Sequence, residues 1–152
     1  IANEDLSSFD YIFCWLGNTD LLVSIIKLIE DKMNLEHDVS EVGVQIILLV
    51  EDGIRFYSSI LPNLYKFVLK QSQEFSTEAL NAHQRTLRMR GRPKIVLART
   101  YNEAIGIYEK YKNNILGVIT DVRFPRIERG EKDALAGIKL CAAIRKEDPF
   151  VH

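Results

Sequence analysis

This 152-residue sequence predicts an α/β fold built on a parallel sheet, and two observations carry that reading. From Val44 onward, apolar runs alternate with helical periodicity in the order strand, helix, strand, helix, strand, helix. Such alternation implies right-handed crossovers, with helices on both faces of the sheet in a three-layer αβα arrangement. The runs at 44–50 and 115–121 are rich in Val, Ile and Leu and do not alternate with polar residues, as expected of strands buried on both faces. Both close on acid: Glu51 and Asp52 after the first run, Asp121 at the end of the second. In open α/β sheets ligands bind just outside the carboxyl ends of the strands, so these acids would share one crevice.

The elements follow in order. Residues 9–16 are apolar and aromatic and read as a strand, broken at Gly17. Asn18 or Thr19 can cap a helix whose apolar positions are Leu21, Leu22, Ile25, Ile26, Leu28, Ile29 and Met33, ending near Leu35. A polar connection over 36–43 leads to the strand at 44–50. A long helical pattern then starts at Ile54, with Ile60, Leu61, Leu64, Phe67, Val68 and Phe75 on its apolar face. Pro62 lies inside it and predicts a kink. The part between Gln71 and Arg90 is far more polar and suits a projecting, partner-facing segment. A strand is expected at 94–98 and a helix at 101–111, capped by Thr100 and packed through Ala104, Ile105, Ile107 and Tyr108. After the strand ending at Asp121 comes a charged loop over 122–132. A helix over 133–146 then buries Leu135, Ile138, Leu140, Cys141 and Ile144. Residues 150–152 read as the start of another strand.

Bulk properties narrow the function. A chain of this size can bury roughly 70% of its unfolded surface, enough for a real core. The net charge of -1 suggests neither a nucleic-acid nor a membrane partner. No run reaches the roughly 18 apolar residues of a membrane span, and no signal peptide is visible. Cys14 and Cys141 sit among apolar neighbours and read as reduced core thiols of a cytoplasmic protein. Ile1 is not a natural start residue, so an excised piece of a longer chain is expected. The basic tract Arg85, Arg88, Arg90, Arg92 and Lys94 lacks interleaved aromatics and reads as a solvated helix end. His37 and His83 have no partner pattern and read as surface residues; Trp15 reads as core or interface. Neither a hydrolase triad motif nor a glycine-rich phosphate loop is present.

The acids need a cation. Three carboxylates within about 4 Å repel by several kcal/mol at an effective dielectric near 20, and a hard divalent ion removes that cost. Each acid also has an ordinary use. Asp52 stands where it could cap the long helix, and Asp121 could be a loop acid beside Arg123 or Arg126. Glu51 could be a solvated loop residue.

Four features together resemble the response-regulator receiver domain, the CheY-like family. They are the pair Glu51-Asp52 closing the first strand, Asp121 closing the third, Pro125 four residues later, and Gly137 opening the helix that runs to Arg145. The match spans 44–150, and more narrowly resembles receiver segments of large proteins with phosphoenolpyruvate synthase or pyruvate phosphate dikinase-like domains. The resemblance implies an incomplete flavodoxin-like parallel sheet with an extended first helix. Residues 1–42 would be the strand-helix tail of a preceding receiver-like domain. Residues 43–152 would be a receiver-like domain lacking its last two strand-helix units, and with them the family's Ser or Thr and its Lys.

The resemblance also implies a chemistry. Asp121 would accept a phosphoryl group from a histidine kinase or phosphotransfer protein, with Mg2+ held by Asp52, Asp121 and the Arg123 backbone carbonyl, and Glu51 acting through water. The alternative is a degenerate receiver-like domain serving as an interaction or dimerisation module, through an exposed sheet edge or the segment between Gln71 and Arg90. A magnesium-dependent phosphatase is the weaker third reading, since Arg123 stands where a second acid would be wanted.

Overall fold

The computed structural model describes residues 9–74 and 91–152. Its centre is a three-stranded parallel sheet of β1 (Ile46–Val50), β2 (Lys94–Ala98) and β3 (Ile115–Thr120), in the order β2-β1-β3. β1 pairs with β2 without a slip, from Ile46 opposite Lys94 to Val50 opposite Ala98. Against β3 the register shifts between Ile46 and Ile47, so Ile46 faces Ile115 while Ile47 faces Gly117. The strands expected at 44–50, 94–98 and 115–121 are present, with β1 starting two residues later than the apolar run.

Among the described residues four helices flank the sheet: α1 (Asp20–His37), α2 (Ile54–Glu74), α3 (Tyr101–Tyr111) and α4 (Ala136–Glu147). Alternate strand residues feed two cores. On one face Ile46, Leu48, Val50 and Ala98 pack with Ala104 and Tyr108 of α3 and with Ala136, Leu140 and Ile144 of α4. On the other, Leu49, Ile95 and Leu97 pack with Tyr57, Leu61, Tyr65 and Val68 of α2. Each fully buried Leu or Ile contributes about 1.5–3 kcal/mol, so this period-2 split supplies most of the fold's cohesion. Thr100 caps α3 as expected, its hydroxyl oxygen accepting from the Glu103 N–H at 3.2 Å. Asn18 serves α1 instead of Thr19, accepting from the Asp20 N–H at 2.9 Å.

α1 departs from its expected orientation. Leu21 and Leu28 face inward, but so do Ser24 and Asp31, while Leu22, Ile26, Ile29 and Met33 are exposed. The helix lies along the outer edge of β2, where Leu28 joins one core and Leu35 the other. Asp31, fully buried, is the attachment point. It accepts from the Ile95 N–H of β2 at 3.0 Å, from the Tyr65 hydroxyl at 2.9 Å, and from the Arg92 guanidinium at 2.7 and 3.0 Å. Lys94 lies 3.7 Å away and pairs with buried Asp38 at 2.7 Å. Burial, with the Asp31 charge beside it, drives the Tyr65 hydroxyl far above its ordinary pKa. Asp38 also explains why the helical path continues past Leu35: a π-helical turn at Asp38–Val42 brings its carboxylate to Lys94, and Gly43 ends the turn at a left-handed φ of 69°.

Other expectations are corrected. Arg92 and Lys94 are buried and paired, so they are no part of a solvated tract; Arg85, Arg88 and Arg90 lie outside the described residues, as do Phe75 and His83. Of the segment between Gln71 and Arg90, only the end of α2 is described. Residues 9–16 form no strand. Their backbone bonds go to α2, with the Cys14 N–H donating to Ser58 Oγ at 3.0 Å and the Tyr57 hydroxyl donating to the Ile12 carbonyl, while the Asp10 side chain pairs with Lys32 of α1 at 2.6 Å. Tyr11 and Phe13 pack on the α2-side core, which draws the segment off the sheet. Trp15 is exposed, and so are Phe67, Leu135, Ile138 and Cys141; Cys141 is therefore no core thiol. At the chain's last described residues, Val151 is buried and the Val118 N–H of β3 donates to the His152 carbonyl at 2.7 Å. No described helix is long and apolar enough to cross a membrane.

Removing one member of a buried ion pair strands the other, at a cost of about 3–5 kcal/mol. Asp31→Ala is expected to lower the urea-denaturation free energy by that amount. A loss below about 1 kcal/mol would show that α1 is not attached through this carboxylate.

Candidate metal centre

The sheet ladder runs on into the acids. The Glu51 N–H donates to the Ala98 carbonyl at 3.0 Å, and the Asp121 N–H donates to the Val50 carbonyl at 2.9 Å. Adjacent parallel strands thus fix both backbones at their carboxyl ends. Glu51, Asp52 and Asp121 each offer one carboxylate oxygen, and these oxygens all lie within 4.8 Å of one another. Glu51 is buried, Asp52 half-buried and Asp121 exposed, so the cluster opens outward from the sheet. That donor set, all oxygen and all anionic, can hold a hard metal ion.

Gly53 makes the inner side possible. Its N–H donates to Glu51 Oε1 at 2.8 Å, and its carbonyl accepts from the Phe56 and Tyr57 N–H groups to start α2. A Cβ at Gly53 would lie 2.9 Å from Glu51 Oε1 and 2.7 Å from the Phe56 ring. A side chain here would push the Glu51 carboxylate or the Phe56 ring aside.

Asp52 does not cap α2. One of its oxygens, Oδ2, pairs with Lys132 Nζ at 2.6 Å, while Oδ1 is buried and has no hydrogen-bond partner among the described residues. A buried unsatisfied carboxylate oxygen is costly, and here it belongs to a member of the acidic cluster. Asp121 Oδ1 accepts from the Val122 N–H at 2.7 Å. Arg126 is engaged away from Asp121, its guanidinium 5.3 Å from the centre of the Tyr101 ring. Arg123 lies in the exposed bend between Asp121 and the next strand.

The loop after Asp121 has structure that the sequence did not announce. β4 (Phe124–Pro125) pairs antiparallel with β5 (Lys132–Asp133), with Pro125 opposite Lys132. Phe124 and Pro125 are buried, which pins the ribbon and returns Lys132 to the acids. Lys132 was not singled out by sequence because its surroundings are charges of both signs without periodicity. Gly137 completes the wall. Its N–H donates to the Val122 carbonyl at 3.0 Å, and a Cβ there would overlap the Asp121 carbonyl oxygen.

No family model, no curated protein and no solved structure matches this chain.

The electrostatics are lopsided. Burial pushes the Glu51 carboxyl above its ordinary pKa, against the Gly53 N–H; the Asp121 and Asp52 charges push it further up, and Lys132 pulls it down. A carboxyl that holds its proton more tightly when folded penalises the fold once ionised, and the penalty disappears as pH falls through its folded pKa. Glu51→Gln is therefore expected to unfold at higher urea than wild type at neutral pH in metal-free buffer. The difference should close as pH falls below the carboxylate range. A variant less stable than wild type at neutral pH would contradict this account.

Proposed function

We propose that this chain is a phosphoacceptor receiver module of a two-component phosphorelay, with a flavodoxin-like sheet. The observation that carries the reading is the convergence of Glu51, Asp52 and Asp121 at the carboxyl ends of adjacent parallel strands, with one Asp52 oxygen left without a partner among the described residues. Asp121 is the exposed acid of the three and the one a phosphoryl donor can approach. Its carboxylate oxygen attacks the phosphorus of a phosphohistidine on a histidine kinase or phosphotransfer protein. The P–O bond forms as the P–N bond breaks, and the imidazole leaves. Mg2+, held by Asp52, Asp121 and by resemblance the Arg123 carbonyl, would supply charge neutralisation for the equatorial oxygens. The backbone bonds from Asp121 to Val50 and from Val122 to the Asp121 carboxylate keep the nucleophile aimed outward.

Beryllofluoride with Mg2+ tests the reading. Amide shifts are expected to cluster at Asp52, Gly53, Asp121 and Val122, and to vanish in Asp121→Asn. An unchanged spectrum in the wild type would refute it.

The second reading, an interaction module that does not use phosphate, is favoured by the outer face of α1. Leu22, Ile26, Ile29 and Met33 recur at spacings of four, three and four residues and are all exposed. This is the spacing of a helix–helix seam, and a second copy would offer the same stripe. Under this reading light scattering shows a dimer that Ile26→Glu converts to monomer. A wild-type monomer at high concentration would exclude it.

A further inference from the structure

The pairing of Lys132 with Asp52 bears on how the acidic cluster is kept when no metal is bound. Lys132 is the one cation that pairs with a member of the cluster in the described ion pairs, at 2.6 Å from Asp52 Oδ2. Its position is set from three sides. Pro125 lies opposite it across the β4–β5 ribbon, and buried Phe124 anchors that ribbon in the core. The next residue, Asp133, is tied to α4 by the Leu135 N–H at 2.9 Å and by Lys139. The ammonium is thus delivered to Asp52 by the fold, not by a freely ranging surface side chain. Beside it lies a cavity of about 450 Å³, lined among others by Asp52, Thr100, Glu103, Pro125, Glu128 and Lys132. Half of the Lys132 side chain is exposed, and the cavity wall carries Glu128, whose carboxylate also lies 4.0 Å from the Arg99 guanidinium.

We infer that Lys132 is a tethered counter-ion that occupies Asp52 in the metal-free protein and yields it to a divalent cation, withdrawing into the adjoining cavity. This inference rests on the cation-binding reading of Glu51, Asp52 and Asp121 given above. An ammonium and a divalent ion seeking the same Asp52 carboxylate repel each other, so each weakens the other's hold. The lysine keeps the three acids tolerable together without metal and sets the metal affinity lower than bare acids would give. Because Lys132 sits on the ribbon, metal arrival also releases one of the contacts that hold β5 to the end of the sheet.

Titration with Mg2+ alone, following the amide signals of Asp52, Gly53 and Val122, tests this in the wild type, Lys132→Gln, Lys132→Arg and Asp52→Asn. The expected result is a dissociation constant about three- to tenfold lower in Lys132→Gln. Lys132→Arg, which keeps the charge, should stay near wild type, and Asp52→Asn should lose binding. Equal or weaker affinity in Lys132→Gln, with binding intact in the wild type, would overturn the counter-ion role and leave the metal site standing. Tightening in Lys132→Arg as large as in Lys132→Gln would overturn it too, since the charge would then be irrelevant. Absence of binding in both wild type and Lys132→Gln would overturn the metal site and the counter-ion role together.

Discussion

Asp31 takes hydrogen bonds from a strand N–H, a tyrosine and an arginine, and it does so fully buried. Ile95 turns its N–H away from β1, toward the open side of β2, where an unpaired edge would invite another strand. The carboxylate ends that edge within the chain. By fixing α1 there it also brings Leu28 to one core and Leu35 to the other, so a single helix seals both faces of a narrow sheet. The burial of Arg92 and Lys94 follows from the same contact, because each is tolerable inside only with an acid against it.

The two ends of the sheet are consequently opposite in character. Around the start of β2 the charges are matched, Arg92 and Lys94 against Asp31 and Asp38, and all four are buried. At the carboxyl ends of β1 and β3 they are unmatched among the described residues, three acids facing one lysine. Matched buried charges hold a structure together. Unmatched charges at strand ends are unfavourable on their own and become favourable when a cation arrives. The first arrangement holds the architecture together and the second is one that could hold a metal ion, and one sheet carries both.

How much of this was legible in sequence depends on which force shaped each part. The three strands were readable because buried parallel strands exclude polar residues, and the Thr100 cap because its signal is local. The acids at the carboxyl ends were readable because strand direction fixes where they must go. α1 was misread because periodicity counts apolar residues and cannot see that Asp31 and Ser24 are inside while Ile26 and Met33 are outside. A buried ion pair looks, in sequence, like two surface residues far apart, which is why Arg92 was assigned to solvent. Residues 9–16 have strand-like composition, but side-chain hydroxyls of α2 take up their backbone groups. Lys132 was missed since only the ribbon anchored by Phe124 brings it to Asp52.

The contact between Gly137 and the Asp121 carbonyl leaves no side chain between the strand end and the first turn of α4. Elsewhere in the protein, a small backbone movement can be absorbed by rotamer changes in the intervening side chains. Here main chain meets main chain, and α4 is held further along by Leu140 and Ile144 in the core. At this junction a shift of the Asp121 backbone has no intervening side chain to absorb it.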